Sequence, residues 1–133
     1  MDTNVVLDVL LARQPFVNAS AEVFGLVEQS KIEGLLCATT ITTIDYLLTQ
    51  AMPRPVARQA LQKLMELFEI AFVNRAVLEE ALKSKLADFE DAVIDQAGRL
   101  AGAEVIVTRN QQDFRHATLK VLGPDELLAS FPG

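Results

Sequence analysis

The chain has 133 residues, 50% of them hydrophobic and 23% charged, and its formal net charge is −6 at pH 7. This length and composition are ordinary for one globular domain with a real core, so we expect a single domain over residues 1–133. The negative charge argues against a broad nucleic-acid-binding surface, which needs clustered Lys and Arg, but it does not exclude a nuclease with a concentrated acidic pocket.

The single cysteine, Cys37, stands in the apolar run GLLCAT. One cysteine excludes an intramolecular disulfide, so we expect a small buried side chain in a reducing compartment. We find no signal peptide and no apolar run that approaches the roughly 18–20 residues needed to span a bilayer. These features predict a cytoplasmic protein that does not contact a membrane.

The first segment, DTNVVLDVLL, is typical of a strand end that passes into a helix. Thr3 or Asn4 is able to cap this helix, and Pro15 closes it. Asn18 or Ser20 then starts a second helix, which places apolar side chains on its inner face.

Strand and helix patterns continue to alternate through the middle of the chain. The hydroxyl-rich segment TTITT starts a helix after a short apolar strand, and Pro53 and Pro55 break that helix. Asn74 caps a later amphipathic helix. The predicted elements are a strand at 35–38, a helix from 39, a helix at about 56–68, a strand at 70–73 and a helix to about 82.

The stretch DFEDAVIDQAGRLAGAEVIVTRNQQDF, residues 88–114, organises the rest of the chain. Its helix places three acids on one face through spacings of three and four, and apolar residues on another face. Two carboxylates about 4 Å apart repel by roughly 4 kcal/mol at an effective dielectric near 20, so such a cluster raises pKa values or holds a divalent cation. The acids are Asp88, Asp91 and Asp95, and the apolar residues are Val93, Ala97 and Leu100.

Gly102 ends this helix, and the β-branched run at 105–107 predicts a strand covered on both sides. That strand delivers Thr108, Arg109, Asn110 and Asp113 to the carboxyl-end rim, where open α/β sheets bind ligands. A short strand at 119–122 and a helix at 125–130 complete the pattern. The alternation predicts an α/β fold, a three-layer α/β/α sandwich with a short, mostly parallel four- or five-stranded sheet.

Acidic and amide side chains occupy comparable places after several predicted strands. Asp2, Asp45, Asp91 and the pair Asn110 and Asp113 all fall near carboxyl ends, so they could converge. Hard oxygen ligands without His or Cys favour Mg²⁺ or Mn²⁺ over zinc. Such ions activate water for phosphodiester hydrolysis.

Four segments, in this order, resemble the PIN domain family, which includes VapC-like and PilT N-terminus-like ribonuclease domains. They are DTNVVLD, TTITTIDYLL, EDAVIDQAGRLAGAEVIVTRNQQDF and VLGPDELL. The resemblance runs essentially from end to end. It implies an endoribonuclease that uses Mg²⁺ or Mn²⁺ on single-stranded RNA, of the kind that acts as a toxin beside a basic antitoxin and often forms a homodimer.

The resemblance also implies site residues. Asp2 and Asp91 match the two most constant metal-binding acids, and Asp45 matches a position usually held by Glu. The fourth acidic position falls on Asn110, followed by Asp113. We therefore expect the four acids to be catalytic and, together with Asn110, to bind the metal.

Other polar residues are expected to support this site. Asn4 and Thr108 orient carboxylates by hydrogen bonds, and Asp88 flanks the cluster. Arg109 is as suited to a surface role as to a phosphate contact. The lone histidine, His116, has no partner at zinc spacing and is interpreted as structural.

Three departures from the family pattern keep a second interpretation open. Only Met1 precedes Asp2, Asp45 is one methylene shorter than Glu, and Asn110 brings no charge to a second ion. The alternative is a catalytically weak or inactive module of the same fold that binds RNA or protein. A phosphatase similar to the haloacid dehalogenases ranks last, because Asn4 stands where that class has its second Asp.

Overall fold

The computed structural model describes residues 1–131, in which short strands alternate with α-helices. The helices are α1 (Thr3–Leu10), α2 (Val17–Glu28), α3 (Ala38–Ala51), α4 (Arg54–Leu67), α5 (Arg75–Leu82), α6 (Phe89–Leu100) and α7 (Pro124–Ala129). The strands are β1 (Leu35–Cys37), β2 (Glu69–Ala71), β3 (Val105–Val107) and β4 (Lys120–Leu122). The predicted α/β class is confirmed, and the expected domain end at residue 133 lies outside the described residues.

The strands form two parallel pairs instead of one continuous sheet. β1 pairs with β2, with Leu36 opposite Ile70, and β3 pairs with β4, with Ile106 opposite Val121. All assigned pairings are parallel, as the alternation of helices and strands predicted. Within residues 1–131, the expected four or five strands are therefore observed as four, divided into two pairs.

Met1 and Asp2 lie between the two strand pairs. The amino group of Met1 donates to the carbonyl of Leu35 at 3.0 Å, and the amide of Asp2 donates to the carbonyl of Val107 at 2.9 Å. These two residues make one bond to each side, at the place where the end of a strand was expected. A cavity of about 570 Å³ beside Met1 separates β1 from β3.

Helices cover both faces of the strands. Within β1, Leu36 packs in the cluster of α1, α3 and α4, whereas Cys37 packs in the cluster of α5 and α6. Within β3, Ile106 joins the α5 and α6 cluster and Val107 joins residues of α2 and α7. Because neighbouring strand residues point to opposite faces, this division defines the three predicted layers.

Several predicted boundaries shift, and one side-chain placement is wrong. α4 begins at Arg54 because Pro53 is its N-cap and Pro55 lies in its first turn, where a missing N–H costs nothing. α1 ends at Leu10, well before Pro15. Leu100 was expected on the apolar face of its helix, but it is 51% exposed at the last position of α6. No helix within residues 1–131 is both long and apolar enough to cross a bilayer.

Candidate functional site

An acidic cleft of about 290 Å³ lies where Asp2, the start of α6 and the segment after β3 meet. Five of its lining residues carry carboxylates and none is basic, so the cleft concentrates negative charge. The lining residues are Asp2, Thr3, Asn4, Thr43, Leu47, Asp88, Glu90, Asp91, Asn110, Asp113 and Phe114.

Asp2 is the most deeply buried acid of the cleft, with 5% of its surface exposed. Its Oδ2 accepts a 2.8 Å hydrogen bond from the hydroxyl of Thr108, whose oxygen accepts in turn from the amide of Asn110 at 3.0 Å. Burial raises the pKa of Asp2, and the Thr108 hydroxyl, the amino group of Met1 and the guanidinium of Arg109 oppose that rise. The carboxylate is therefore held in one orientation at the floor of the cleft.

Asp91 lies in the first turn of α6, and Asp88 is the N-cap of that helix. Oδ1 of Asp88 accepts a 3.0 Å hydrogen bond from the amide of Asp91, which fixes the helix start. Burial and the charges of Asp88, Asp2, Asp113 and Glu90 raise the pKa of Asp91 to about 7. Without a cation, the cleft thus holds Asp91 partly protonated near neutral pH.

Glu90 and Thr43 line the cleft although the sequence interpretation did not select them. Oε1 of Glu90 accepts a 3.0 Å hydrogen bond from the hydroxyl of Thr43, which joins α6 to α3. The available signal was the position of Glu90 beside Asp91 in a helical first turn, where acids are favoured by the helix dipole. Thr3 is a further lining residue of the cleft.

The structure brings most of the predicted site residues together at the cleft, and the exception is Asp45. Thr108 stands behind the floor, in contact with Asp2. Asp45 is not among the lining residues, and its carboxylate accepts from Nε and Nη2 of Arg58 at 2.9 and 3.3 Å. The predicted residues at the cleft are Asp2, Asn4, Asp88, Asp91, Asn110 and Asp113.

Asp95 was expected to share a helix face with Asp88 and Asp91, but it has a separate structural role. It is 1% exposed and accepts hydrogen bonds from the amide and hydroxyl of Thr118 and from the amide of Leu119. Its carboxylate thus anchors the segment that leads into β4. The cleft acids of α6 come from its first turn only.

The chemistry of the cleft suits a hard divalent cation, although its ligands are not preassembled. Carboxylate and amide oxygens are the ligands that Mg²⁺ and Mn²⁺ prefer, and no His or Cys lines the cleft. Among residues 1–131, no three acidic, histidine or cysteine side chains already surround a common point at ligand distance. Mutual repulsion keeps carboxylates apart when no cation lies between them. The donor set therefore fits such an ion in its chemistry.

Comparisons with known proteins agree with this fold. The family model described as PIN domain matches residues 1–112, so the chain belongs to the PIN domain family, whose members are generally nucleases. Among solved structures, this chain is similar to a chain in the crystal structure of VapBC2 from Rickettsia felis bound to a DNA fragment from the VapBC2 promoter. That match has a TM-score of 0.71 and 12% identity, and it covers 92% of this chain and 95% of the other. No curated protein sequence matches significantly.

Proposed function

We propose that this protein is a divalent-metal-dependent endoribonuclease that hydrolyses single-stranded RNA. The observation that carries the proposal is the shared cleft of Asp2 and Asp91, which are far apart in sequence and lie on different elements. The charge of Asp2 contributes to the raised pKa of Asp91, so the two carboxylates are close enough to interact. Such an arrangement is costly unless the site uses it to bind a cation.

Asp2 and Asp91 are the proposed principal ligands of Mg²⁺ or Mn²⁺, with Asn110 and Asp113 completing the set. Family membership supports this assignment because PIN nucleases usually use divalent metals. When bound, such an ion activates water and neutralises charge on the phosphodiester. Asp45 stays a prediction from the sequence, because its carboxylate is paired with Arg58 away from the cleft.

The residues of the chain itself provide orientation. Thr108 directs one oxygen of Asp2, and the cap made by Asp88 fixes the helical turn that carries Asp91. Thr43 restrains Glu90 at the cleft wall, where that carboxylate is available as a further ligand or as an acceptor for a water proton. No side chain of the cleft needs to form a covalent bond with the substrate.

We further propose that the protein is the toxin of a VapBC-like toxin–antitoxin pair and acts as a cytoplasmic homodimer. The structural similarity to a VapBC complex supports the antitoxin partner. The net charge of −6 suits a basic antitoxin segment. Large apolar side chains that are 69%, 74% and 48% exposed offer contact area for a protein partner; they are Phe72, Leu82 and Phe89.

The test is RNA cleavage in the presence of Mg²⁺ or Mn²⁺, with Asp91→Asn as the disabled variant. Asp125→Asn is the matched control, because Asp125 is an exposed acid in the first turn of α7. We expect cleavage by the wild type and the control, and a loss of at least about 100-fold for Asp91→Asn. Equal activity of Asp91→Asn and the wild type would overturn the assignment.

The second candidate function is a binding module of the same fold without efficient catalysis. The observation that favours it is Asn110, which brings no charge to the cleft. Metal titration by calorimetry separates the two functions. Heat at submillimolar cation that disappears in Asp91→Asn supports the nuclease, whereas no heat at millimolar cation supports the binding module.

A further inference from the structure

A buried carboxylate beside the acidic cleft binds two arginines. Asp8 has 0% of its surface exposed. Its Oδ2 accepts from Nε of Arg109 at 2.8 Å, and its Oδ1 lies 2.8 Å from Nε of Arg13. One negative charge therefore meets two positive charges. Because a fully buried carboxylate needs only one cationic partner for neutrality, this cluster keeps one unit of positive charge in excess.

The cluster adjoins the wall of the cleft. Nη2 of Arg13 donates to the backbone oxygen and to Oδ1 of Asn4 at 3.1 and 3.3 Å, and Asn4 lines the cleft. Arg109 stands between Thr108, which bonds to Asp2, and Asn110, which lines the cleft. The excess positive charge thus lies beside a cleft whose own lining residues are acidic or neutral.

Both guanidinium groups are held in place and remain accessible. The Arg109 guanidinium lies over the ring of Phe16, 4.1 Å from its centroid, in addition to its bonds to Asp8. The side chains of Arg13 and Arg109 are 35% and 26% exposed. In residues 1–131, Nη1 of neither arginine has a hydrogen-bond acceptor. Two oriented donors are therefore available to a ligand.

A polyanionic substrate needs such donors here. The five carboxylates of the cleft repel RNA, and a bound cation offsets that repulsion only at the phosphate it contacts. Arginine is well suited to the adjacent phosphate, because its planar donors match phosphate oxygens. We propose that Arg13 and Arg109 bind the phosphodiester next to the one that is cleaved, and that Asp8 is the positioning residue for both. This inference rests on the proposed ribonuclease function.

The test measures binding of a single-stranded RNA oligonucleotide by fluorescence anisotropy across a series of salt concentrations. Asp91→Asn serves as the background, so that the RNA is not cut. Adding Arg13→Gln is expected to weaken binding about tenfold at low salt. It should also make the slope of log K against log salt shallower by about 0.7, the value for one lost phosphate contact on a single strand.

The matched control is Arg75→Gln, which removes an exposed arginine whose Nε contacts Glu79 at 2.6 Å on α5. It should leave both affinity and slope unchanged. Arg13→Lys covers the case in which loss of an Asp8 partner unfolds the protein. This substitution keeps the positive charge but loses the planar guanidinium. We therefore expect a salt slope equal to that of Asp91→Asn alone and about threefold weaker RNA binding.

The outcomes separate the inference from the function on which it rests. Wild-type cleavage together with an unchanged salt slope for a folded Arg13→Gln overturns the phosphate site and leaves the nuclease standing. If Arg13→Gln does not fold, an Arg13→Lys affinity equal to that of the background overturns the site. A wild type that neither binds nor cleaves RNA overturns both. A shallower slope in Arg13→Gln but not in Arg75→Gln supports the site.

Discussion

The hydroxyl of Thr108 donates a 2.8 Å hydrogen bond to Oδ2 of Asp2, which joins two residues 106 positions apart in the sequence. The bond is buried, so neither group has water as a ready substitute. It couples the end of β3 to the start of α1. The Thr108 hydroxyl therefore helps to orient the deepest carboxylate in the cleft.

Thr108→Val should impair metal binding more than it impairs folding. Removing the donor leaves Asp2 without its side-chain partner, so we expect divalent-metal affinity to fall about 10- to 100-fold by calorimetry. The free energy of unfolding should fall by about 1–3 kcal/mol. Thr42→Val is the control, because that exposed hydroxyl bonds only to the carbonyl of Thr39. Unchanged metal affinity in Thr108→Val would contradict this role.

The raised pKa of Asp91 predicts a pH-dependent stability in metal-free buffer. The folded state holds the Asp91 proton more tightly than the unfolded chain, so the contribution is fully present below about pH 4 and is lost as the pH rises through about 7. Because Asp91 is partly exposed, we expect a screened loss of about 1–2 kcal/mol between pH 5 and 8.

Urea denaturation in EDTA measures this loss, and Asp91→Asn should show a flatter pH profile. The difference between the two profiles isolates Asp91 from the amino group of Met1, whose pKa is lowered by burial and whose effect has the opposite sign. Parallel profiles would show that Asp91 does not titrate in this range. Added Mg²⁺ should stabilise the wild type most at high pH, where the carboxylates are charged.

Asp45→Asn should leave cleavage within about twofold of the wild type. Its carboxylate pairs with Arg58, whose side chain is 59% exposed, and such surface pairs contribute about 0–1 kcal/mol. Asp113→Asn, by contrast, changes a lining acid and should reduce cleavage at limiting metal concentration. Measuring both variants at several Mn²⁺ concentrations compares an acid inside the cleft with one outside it. A loss in Asp45→Asn as large as that in Asp91→Asn would restore Asp45 to the site.

Asp95→Asn should destabilise the protein without removing cleavage by the folded fraction. An amide in place of the carboxylate puts an N–H₂ group against donors from Thr118 and Leu119. We expect a loss of about 2–3 kcal/mol in urea denaturation. Asp125→Asn, at an exposed position, should lose less than about 0.5 kcal/mol. A stability equal to that of the wild type would contradict the anchoring role of Asp95.

The positions of Asp2 and Asp91 followed from the sequence because each stands at a recognisable boundary. Asp2 directly precedes a helix, and Asp91 lies in a helical first turn marked by the cap Asp88. Short β-branched runs between helical patterns likewise predicted the parallel pairing. These features are local, so local patterns are sufficient to find them.

The direction in which the Asp45 side chain points, relative to the cleft, was not predictable in the same way. The rotation of α3 about its axis decides which residues face the cleft, and the packing of Ile44 and Leu48 into the core sets that rotation. Thr43 and Leu47 consequently line the cleft, and Asp45 lies about 200° around the helix from Thr43. Sequence spacing gives relative angles on one helix, but it does not give the angle between that helix and a neighbour.

The buried amino group of Met1 has a practical consequence for preparing the protein. An affinity tag or fusion partner placed there would convert an ammonium that bonds to Leu35 into an amide and would have to leave through the space between β1 and β3. The adjoining residue is Asp2, so a poorly accommodated tag would disturb the carboxylate that we propose as a metal ligand. A preparation in which Met1 carries no extension therefore preserves the proposed metal site.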